Sequence, residues 1–318
     1  MASANYTSPP APATPAEHAL TVPAACAGLR LDQALARLLP QHSRSRLKRW
    51  IDDGQVTVDG ERVEPRHRLG GGEALVVRES ESSGDAPHAA EDIALAIVHE
   101  DAAIIVVDKP PGLVVHPGNG NRDGTLLNAL LHHAPELARN PRAGIVHRLD
   151  KDTSGLLVIA RTPEAQTALV RALAARTVKR EYLAIARGDV ARSVTVDAPI
   201  GRHPVQRTTM AVVASGKAAR THVEPIERYR VATLVRCTLD TGRTHQIRVH
   251  LAAIKHPLVG DPTYGSGRVP AIPPFSRQAL HAWRLGLVHP VSGKAMSFEA
   301  PMPADFAALR EKLREHNG

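Results

Sequence analysis

A chain of 318 residues is long enough for two domains of roughly 100–200 residues each, and 43% hydrophobic residues can fill a real core. A net charge of +8 and a pI near 9.9 point to a polyanionic partner, nucleic acid first and a membrane surface second. No run reaches the roughly 18 apolar residues of a spanning helix, and no basic segment leads into an apolar core, so neither a membrane span nor a secretory signal is expected.

Cys26 and Cys237 lie far apart and no CxxC occurs, so neither a disulfide framework nor a cysteine zinc site is expected. A reducing cytosol, and hence a cytoplasmic protein, fits. The 17 histidines include no HExxH, and adjacent pairs such as His132 and His133 do not share a helix face, so no metal is expected. Aromatic content of 3% leaves core filling to Leu, Val, Ile and Ala.

Residues 1–28 are rich in Ala, Pro, Ser and Thr and read as a disordered tail. Residues 29–78 form a small unit. Leu31, Leu35, Leu38 and Leu39 share a helix face that Pro40 ends. Ser43 is suited to cap a second helix, in which Leu47, Trp50 and Ile51 recur at helical spacing and Gly54 is the stop. Arg44, Arg46, Lys48 and Arg49 stud that helix. By charge alone they could be no more than a solvated face. Strands are expected over Gln55 to Val58 and through Val63, joined by an Asp59-Gly60 turn, with a last strand at Ala74 to Val77.

Residues 79–92 (ESESSGDAPHAAED) read as a linker, and residues 93–318 as the larger domain. Ile104 to Val107 and Leu113 to Val115 are apolar runs around Lys109-Pro110-Pro111-Gly112. Thr125 caps a helix carrying Leu126, Leu127, Leu130 and Leu131. Thr162-Pro163-Glu164 starts another, with Leu169, Val170 and Leu173 as its buried face. Lys179 to Ala184 opens a strand. Short strands without a βαβ rhythm follow to Val235, so an α+β fold with a mainly antiparallel sheet is expected. Thr244 is the expected cap of a helix with Ile247, Leu251 and Ile254 inward. Gln278 to Ala282 precedes a final strand pair, and Phe306 to Leu313 is a C-terminal helix.

The chain is organised around Gly144 to Arg161, GIVHRLDKDTSGLLVIAR. Leu156 to Ala160 is a buried strand by composition, so the polar run from His147 to Ser154 is a loop delivered onto a sheet. By charge pattern alone this could be a solvated turn with local ion pairs.

The string itself resembles the signature of the RluA-type pseudouridine synthases, in which the aspartate of HRLD is the catalytic nucleophile. SRSRLKRWIDDGQVTVDGERV resembles the S4 RNA-binding module, and the KPPG segment resembles the family's first motif. GRTHQIRVHL and KREYLA match further motifs, and the resemblance runs from Leu29 to Pro303. It implies a small S4-type domain followed by a mixed, mainly antiparallel pseudouridine synthase domain.

The resemblance also implies the site. Asp150, not Asp152, is the essential carboxylate. Arg248 is the arginine that pairs with it, with Arg243 as the alternative. Tyr182 stacks on the target uracil, and Arg148 helps to displace it from the stem. His147, Arg148 and Arg243 are expected to contact RNA, as are Arg44, Arg46, Lys48 and Arg49, which grip phosphates without reading bases. The reaction is an isomerisation needing no cofactor. Within the family, Arg202 to Val212, HPLVGDPTYG and RQALHA resemble the branch that modifies helix 69 of large-subunit (23S) rRNA. The expected partner is that rRNA or a ribosomal subunit precursor, with no membrane, and the chain is expected to be a monomer. Three other readings stand beside this one: a sister branch acting on other rRNA uridines, a non-catalytic S4-type RNA-binding or ribosome-assembly protein, and a sugar hydrolase using Asp150 with Asp152.

Overall fold

The structure is a computed structural model that describes residues 17–40, 42, 44–79, 88–118, 120–265 and 272–316. The tail before Glu17, the Ser43 cap, the side chains of Arg44 and Arg46, and linker residues 80–87 lie outside the described residues. The chain divides into two compact units, the second beginning at His88.

In the first unit, strands β1 (Glu17–Thr21), β2 (Val56–Val58), β3 (Glu61–Arg62) and β4 (Ala74–Arg78) form an antiparallel sheet in the order β1-β4-β2-β3. Helices α1 (Leu31–Leu38) and α2 (Arg44–Asp52) supply the rest of its core. Leu31, Leu35, Leu47, Trp50 and Ile51 are buried with Val56, Leu75 and Val77. The β2–β3 turn uses Asp59 and Gly60, both at positive φ (49° and 86°), as a two-residue hairpin requires.

The expected disorder does not hold over residues 17–28. β1 pairs with β4 along all five of its residues, and Val22 and Cys26 are buried in the core. Tail-like composition hid a strand whose stability comes from a partner some 60 residues away. The expected linker also contracts. Glu79 faces His18 of the first unit. In the second unit, Asn128 Nδ2 donates to the Ala89 carbonyl at 2.8 Å, and the Gly124 amide donates to the Glu91 carboxylate.

The second unit is built on one large mixed sheet. Its strands are β5 (Ala96–Glu100), β6 (Ile104–Lys109), β7 (Ser154–Ala160), β8 (Lys179–Arg187), β9 (Val194–Asp197), β12 (Arg220–Arg228), β13 (Ala232–Leu239), β14 (Leu280–Val288) and β15 (Ala295–Glu299). The order is β5-β6-β7-β14-β8-β13-β12-β9, with β15 on the far half of β14. Only β7 and β14 run parallel. A separate hairpin comprises β10 (Ile200–Arg202) and β11 (Met210–Val212).

Alternation along the strands sorts two apolar faces. Ile105, Val107, Leu157, Ile159, Tyr182 and Ala184 share one face with helices α3 (Leu126–His133) and α5 (Gln246–Ala253). Ile104, Val106, Leu156 and Val158 face α4 (Pro163–Ala174), while Leu183 and Ile185 face α6 (Ala304–Glu315). Covered on both sides, all seven residues of β7 are buried.

Thr125 and Asn128 form a capping box on α3, and Thr162 Oγ1 accepts the Ala165 amide at the start of α4. The apolar run Leu113 to Val115 is a loop with one bridge from Val114 to Thr125. Two local expectations are corrected. Val170 points to solvent, because α4 packs through Ala165 and Leu169 with Ala172 and Leu173 beside them. Helix α5 is entered through His245 in the left-handed conformation, φ 56°, rather than capped by Thr244.

Candidate active site

Asp150 sits in the turn that feeds β7, and the turn is gripped from two sides. Lys109 ends the apolar strand β6 with its side chain buried. Its Nζ donates to the carbonyls of Pro110, Leu113 and Lys151 at 2.8, 3.0 and 2.9 Å. The KPPG loop is thereby tied to the backbone beside Asp150. Burial pushes the Lys109 ammonium down to about 7, while Asp152 and Asp150 pull it back up.

From the other side, Arg277 Nη1 donates to the Asp152 carbonyl at 3.1 Å, and Gln278 Nε2 to Thr153 Oγ1 at 3.1 Å. Arg277 is anchored in turn by Asp305. Gly155 then lets β7 approach β14: its φ is +112°, and a Cβ there would lie 2.2 Å from the Ala282 carbonyl oxygen.

Helix α5 brings Arg248 to this turn. Arg248 Nη1 donates to Asp150 Oδ2 at 3.0 Å. Its Nε and Nη2 donate to the two oxygens of Asp261 at 2.8 and 2.9 Å, and Nη2 also reaches Thr263 Oγ1 at 3.2 Å. The bidentate pairing of Arg248 is thus with Asp261, and Asp150 receives a single bond. The side chains of Asp261, Arg248 and Asp150 are 0%, 5% and 19% exposed, a gradient from anchor to open carboxylate.

Burial alone would raise Asp261, but the Arg248 bonds and charge, with the Tyr264 and Thr263 amides, hold it below the usual carboxylate range. Burial opposes the charge on Arg248 as well, and Asp261 and Asp150 more than restore it. The Tyr264 ring lies 5.1 Å from the guanidinium carbon of Arg248, a cation–π contact. Tyr264 Oη accepts the Met210 amide and lies 2.8 Å from His245 Nδ1. His245 Nε2 is 3.9 Å from Asp150 Oδ1, and burial lowers the His245 imidazole.

Tyr182, on β8, shares the α5-covered face of the sheet and is 7% exposed. Burial raises its phenol; the Arg180 charge counteracts this, and the Asp150 charge adds to it.

The structure treats the expected RNA contacts differently. Arg148 is exposed, and Arg243 is exposed with its Nε donating to the Ala218 carbonyl. His147 Nε2 accepts the Val158 amide at 3.1 Å, which ties its ring to β7, and burial lowers the imidazole to about 3. Lys48 is exposed and pairs with Asp52, while Arg49 is half-buried. Asp261, Lys109, Arg277 and Tyr264 were missed. All four lie in strings that carried the resemblance, KPPG, HPLVGDPTYG and RQALHA, but none was singled out there, and only Lys109 carried a further signal, a cation closing a strand that is otherwise apolar.

Residues 103–253 match the protein family described as RNA pseudouridylate synthase, and residues 29–75 match the S4 domain. Fold and site are thus those of an RNA-modifying isomerase with an RNA-binding domain ahead of it. The chain is 56% identical over 300 residues to ribosomal large subunit pseudouridine synthase D of Nitrosomonas europaea, covering 93% of this chain and 87% of the relative. It is 53% identical over 309 residues to the protein of the same name from Pseudomonas aeruginosa, covering 94% and 96%. Among solved structures, human RNA pseudouridylate synthase domain containing 1 matches with a TM-score of 0.55 at 30% identity, over 67% of this chain and 85% of that one. The chain belongs to the RluA-type pseudouridine synthases that carry an S4 domain.

Proposed function

We propose that this enzyme converts uridines to pseudouridine in helix 69 of large-subunit rRNA, with Asp150 as the carboxylate at the reacting glycosidic bond. The observation that carries the reading is the 3.0 Å contact from buried Arg248 to a carboxylate that is still 19% exposed. In the reaction, the bond from uracil N1 to ribose C1′ breaks, the base turns, and C5 bonds to C1′. The C5 proton is then lost and N1 regains one.

Asp150 supplies the anionic group at C1′ or on the ring, and Arg248 keeps it oriented through the whole sequence. Tyr182 offers an aromatic face to the extruded uracil. Arg148, exposed two residues before Asp150, fills the gap that the base leaves in the stem. Lys48 and Arg49, with Arg44 and Arg46, hold phosphates at the S4 domain. The large-subunit target is supported by the names of relatives more than 50% identical to this chain. Two buried free cysteines fit work in a reducing cytoplasm.

The test is pseudouridine mapping of rRNA incubated with the purified protein. Modification confined to the helix 69 loop is expected. Modification only at other uridines would overturn the target and leave the activity standing. A folded enzyme that modifies no rRNA at all would overturn both.

A further inference from the structure

Outside the site of Asp150, one cluster in the first unit has no part in the reaction. His18 lies on β1, opposite Val77 of β4. Glu79 follows β4 immediately, so its side chain and that of His18 meet as diagonal neighbours on one face of the sheet. His42 enters from the turn that precedes α2. His18 Nε2 lies 2.6 Å and His42 Nε2 3.1 Å from the same oxygen, Oε1 of Glu79.

One ligand atom from each of the three residues lies within 4.8 Å of the others, and among the described residues no other group of three His, Cys, Asp or Glu has this spacing. Tetrahedral zinc with bonds of about 2.0–2.1 Å needs ligand edges of about 3.4 Å, which small side-chain rotations supply here.

A second observation separates this from a plain ion-paired cluster. The His42 side chain is only 9% exposed, and neither of its ring nitrogens makes a hydrogen bond. Buried polar groups left without a partner are rare and ask for a reason. Its Nε2 faces Glu79 Oε1 at 3.1 Å as an ion-pair neighbour. Trp50 packs edge-on to the ring at 4.8 Å between centroids and fixes its plane. His18 and Glu79 are 27% and 30% exposed, which leaves the outer side of the cluster open to water.

We propose that His18, His42 and Glu79 bind one divalent transition-metal ion of the zinc class, with water in the fourth position. Two neutral imidazoles and one carboxylate are a donor set that zinc accepts. The His18 bond already holds Glu79 ionised, below the usual carboxylate range. The ion ties β1 and the end of β4 to the entrance of α2, the helix that carries the basic side chains.

The chain has two tryptophans, Trp50 and Trp283, so a Trp283→Phe background isolates the reporter beside His42. Full-length protein is titrated with Co²⁺ and Zn²⁺ while Trp50 emission, cobalt visible absorption and zinc competition with a chromophoric chelator are followed. The expected result is one equivalent bound, Trp50 quenched by Co²⁺ and recovered by Zn²⁺, and affinity at least tenfold weaker in His18→Ala and in Glu79→Gln. Both substitutions lie at partly exposed positions and leave the core intact. Failure to bind either ion, or binding that spares Trp50 and is unchanged in both variants, would overturn the proposal.

Discussion

Asp261 holds Arg248 side-on: Nε and Nη2 of the arginine donate to its two oxygens at 2.8 and 2.9 Å. Only Nη1 is left for Asp150, at 3.0 Å. The fully buried pair therefore fixes the guanidinium plane, and Asp150 receives a single directed bond from a group that cannot swing away. Asp261 is itself set by the amides of Thr263 and Tyr264, so the loop after α5 is built around this one carboxylate.

The first prediction follows. Asp261→Asn keeps the shape but removes the charge opposite Arg248, freeing the guanidinium to rotate toward Asp150. We expect kcat to fall about 100-fold, the scale of an ångström of misplacement, with RNA affinity unchanged. Asp261→Ala would leave a buried arginine without its main partner and cost about 3–5 kcal/mol of stability. Single-turnover rates beside urea unfolding distinguish the two effects, and an Asn variant with normal kcat would remove Asp261 from the positioning role.

Asp150 and Asp152 can be told apart in the same assay. Asp150→Asn is expected to lose roughly 10⁴-fold or more in rate while folding and binding RNA normally. Asp152 contributes to the loop through its backbone carbonyl, which Arg277 holds, so Asp152→Asn should keep substantial activity. Full activity in Asp150→Asn would end the assignment. Equal and complete loss in both folded variants would leave Asp150 without its special place.

What the sequence made readable and what it hid divide along a physical line. Caps and periodic faces are local, so Thr125, Thr162, Trp50 and the β2–β3 turn could be read from neighbours in the chain. The Asp150 loop was readable because its string is distinctive. Asp261 was hidden because an Asp in a Gly- and Pro-rich loop looks like a turn residue, and nothing local says that Arg248 is buried against it. Residues 17–22 were hidden for a related reason, since their order comes from pairing with β4. Val170 misled because α4 follows the i, i+4, i+7 track from Ala165, which passes beside it.

Asp101 predicts an acid-dependent step in stability. Its side chain accepts the amides of Ala103 and Ile104 at 2.7 and 2.9 Å, with His99 Nε2 at 2.8 Å. Burial raises its pKa, but these bonds win and bring it down to about 2 from 3.8. The folded value lies below the unfolded one, so the stability is present above about pH 4 and is lost as the pH falls toward about 2. Discounted for solvent screening, the contribution is about 1 kcal/mol. Asp101→Asn should be less stable than wild type by about that amount at pH 7, with the gap closing below pH 4. Urea midpoints from pH 7 to pH 3 check this, and a gap that widens toward acid would contradict it.

The last prediction concerns the S4 domain. Lys48 is exposed, and its Nζ meets Asp52 four residues along α2. Such a surface pair contributes about 0.3–0.5 kcal/mol and yields readily to a phosphate. Arg49 is half-buried, so removing it would also disturb packing, which makes Lys48 the cleaner probe. A phosphate contact releases a counterion, so Lys48→Gln should reduce the log–log salt slope of RNA binding by about 0.7–0.9. Asp150, Tyr182 and Arg248 are untouched, so KM should rise with little change in kcat, the signature of lost uniform binding. Single-turnover rates against RNA concentration at two salt concentrations supply both quantities. An unchanged slope would make the basic face of α2 a solvated surface. A collapsed rate at saturating RNA would show instead that Lys48 helps to assemble the reactive complex.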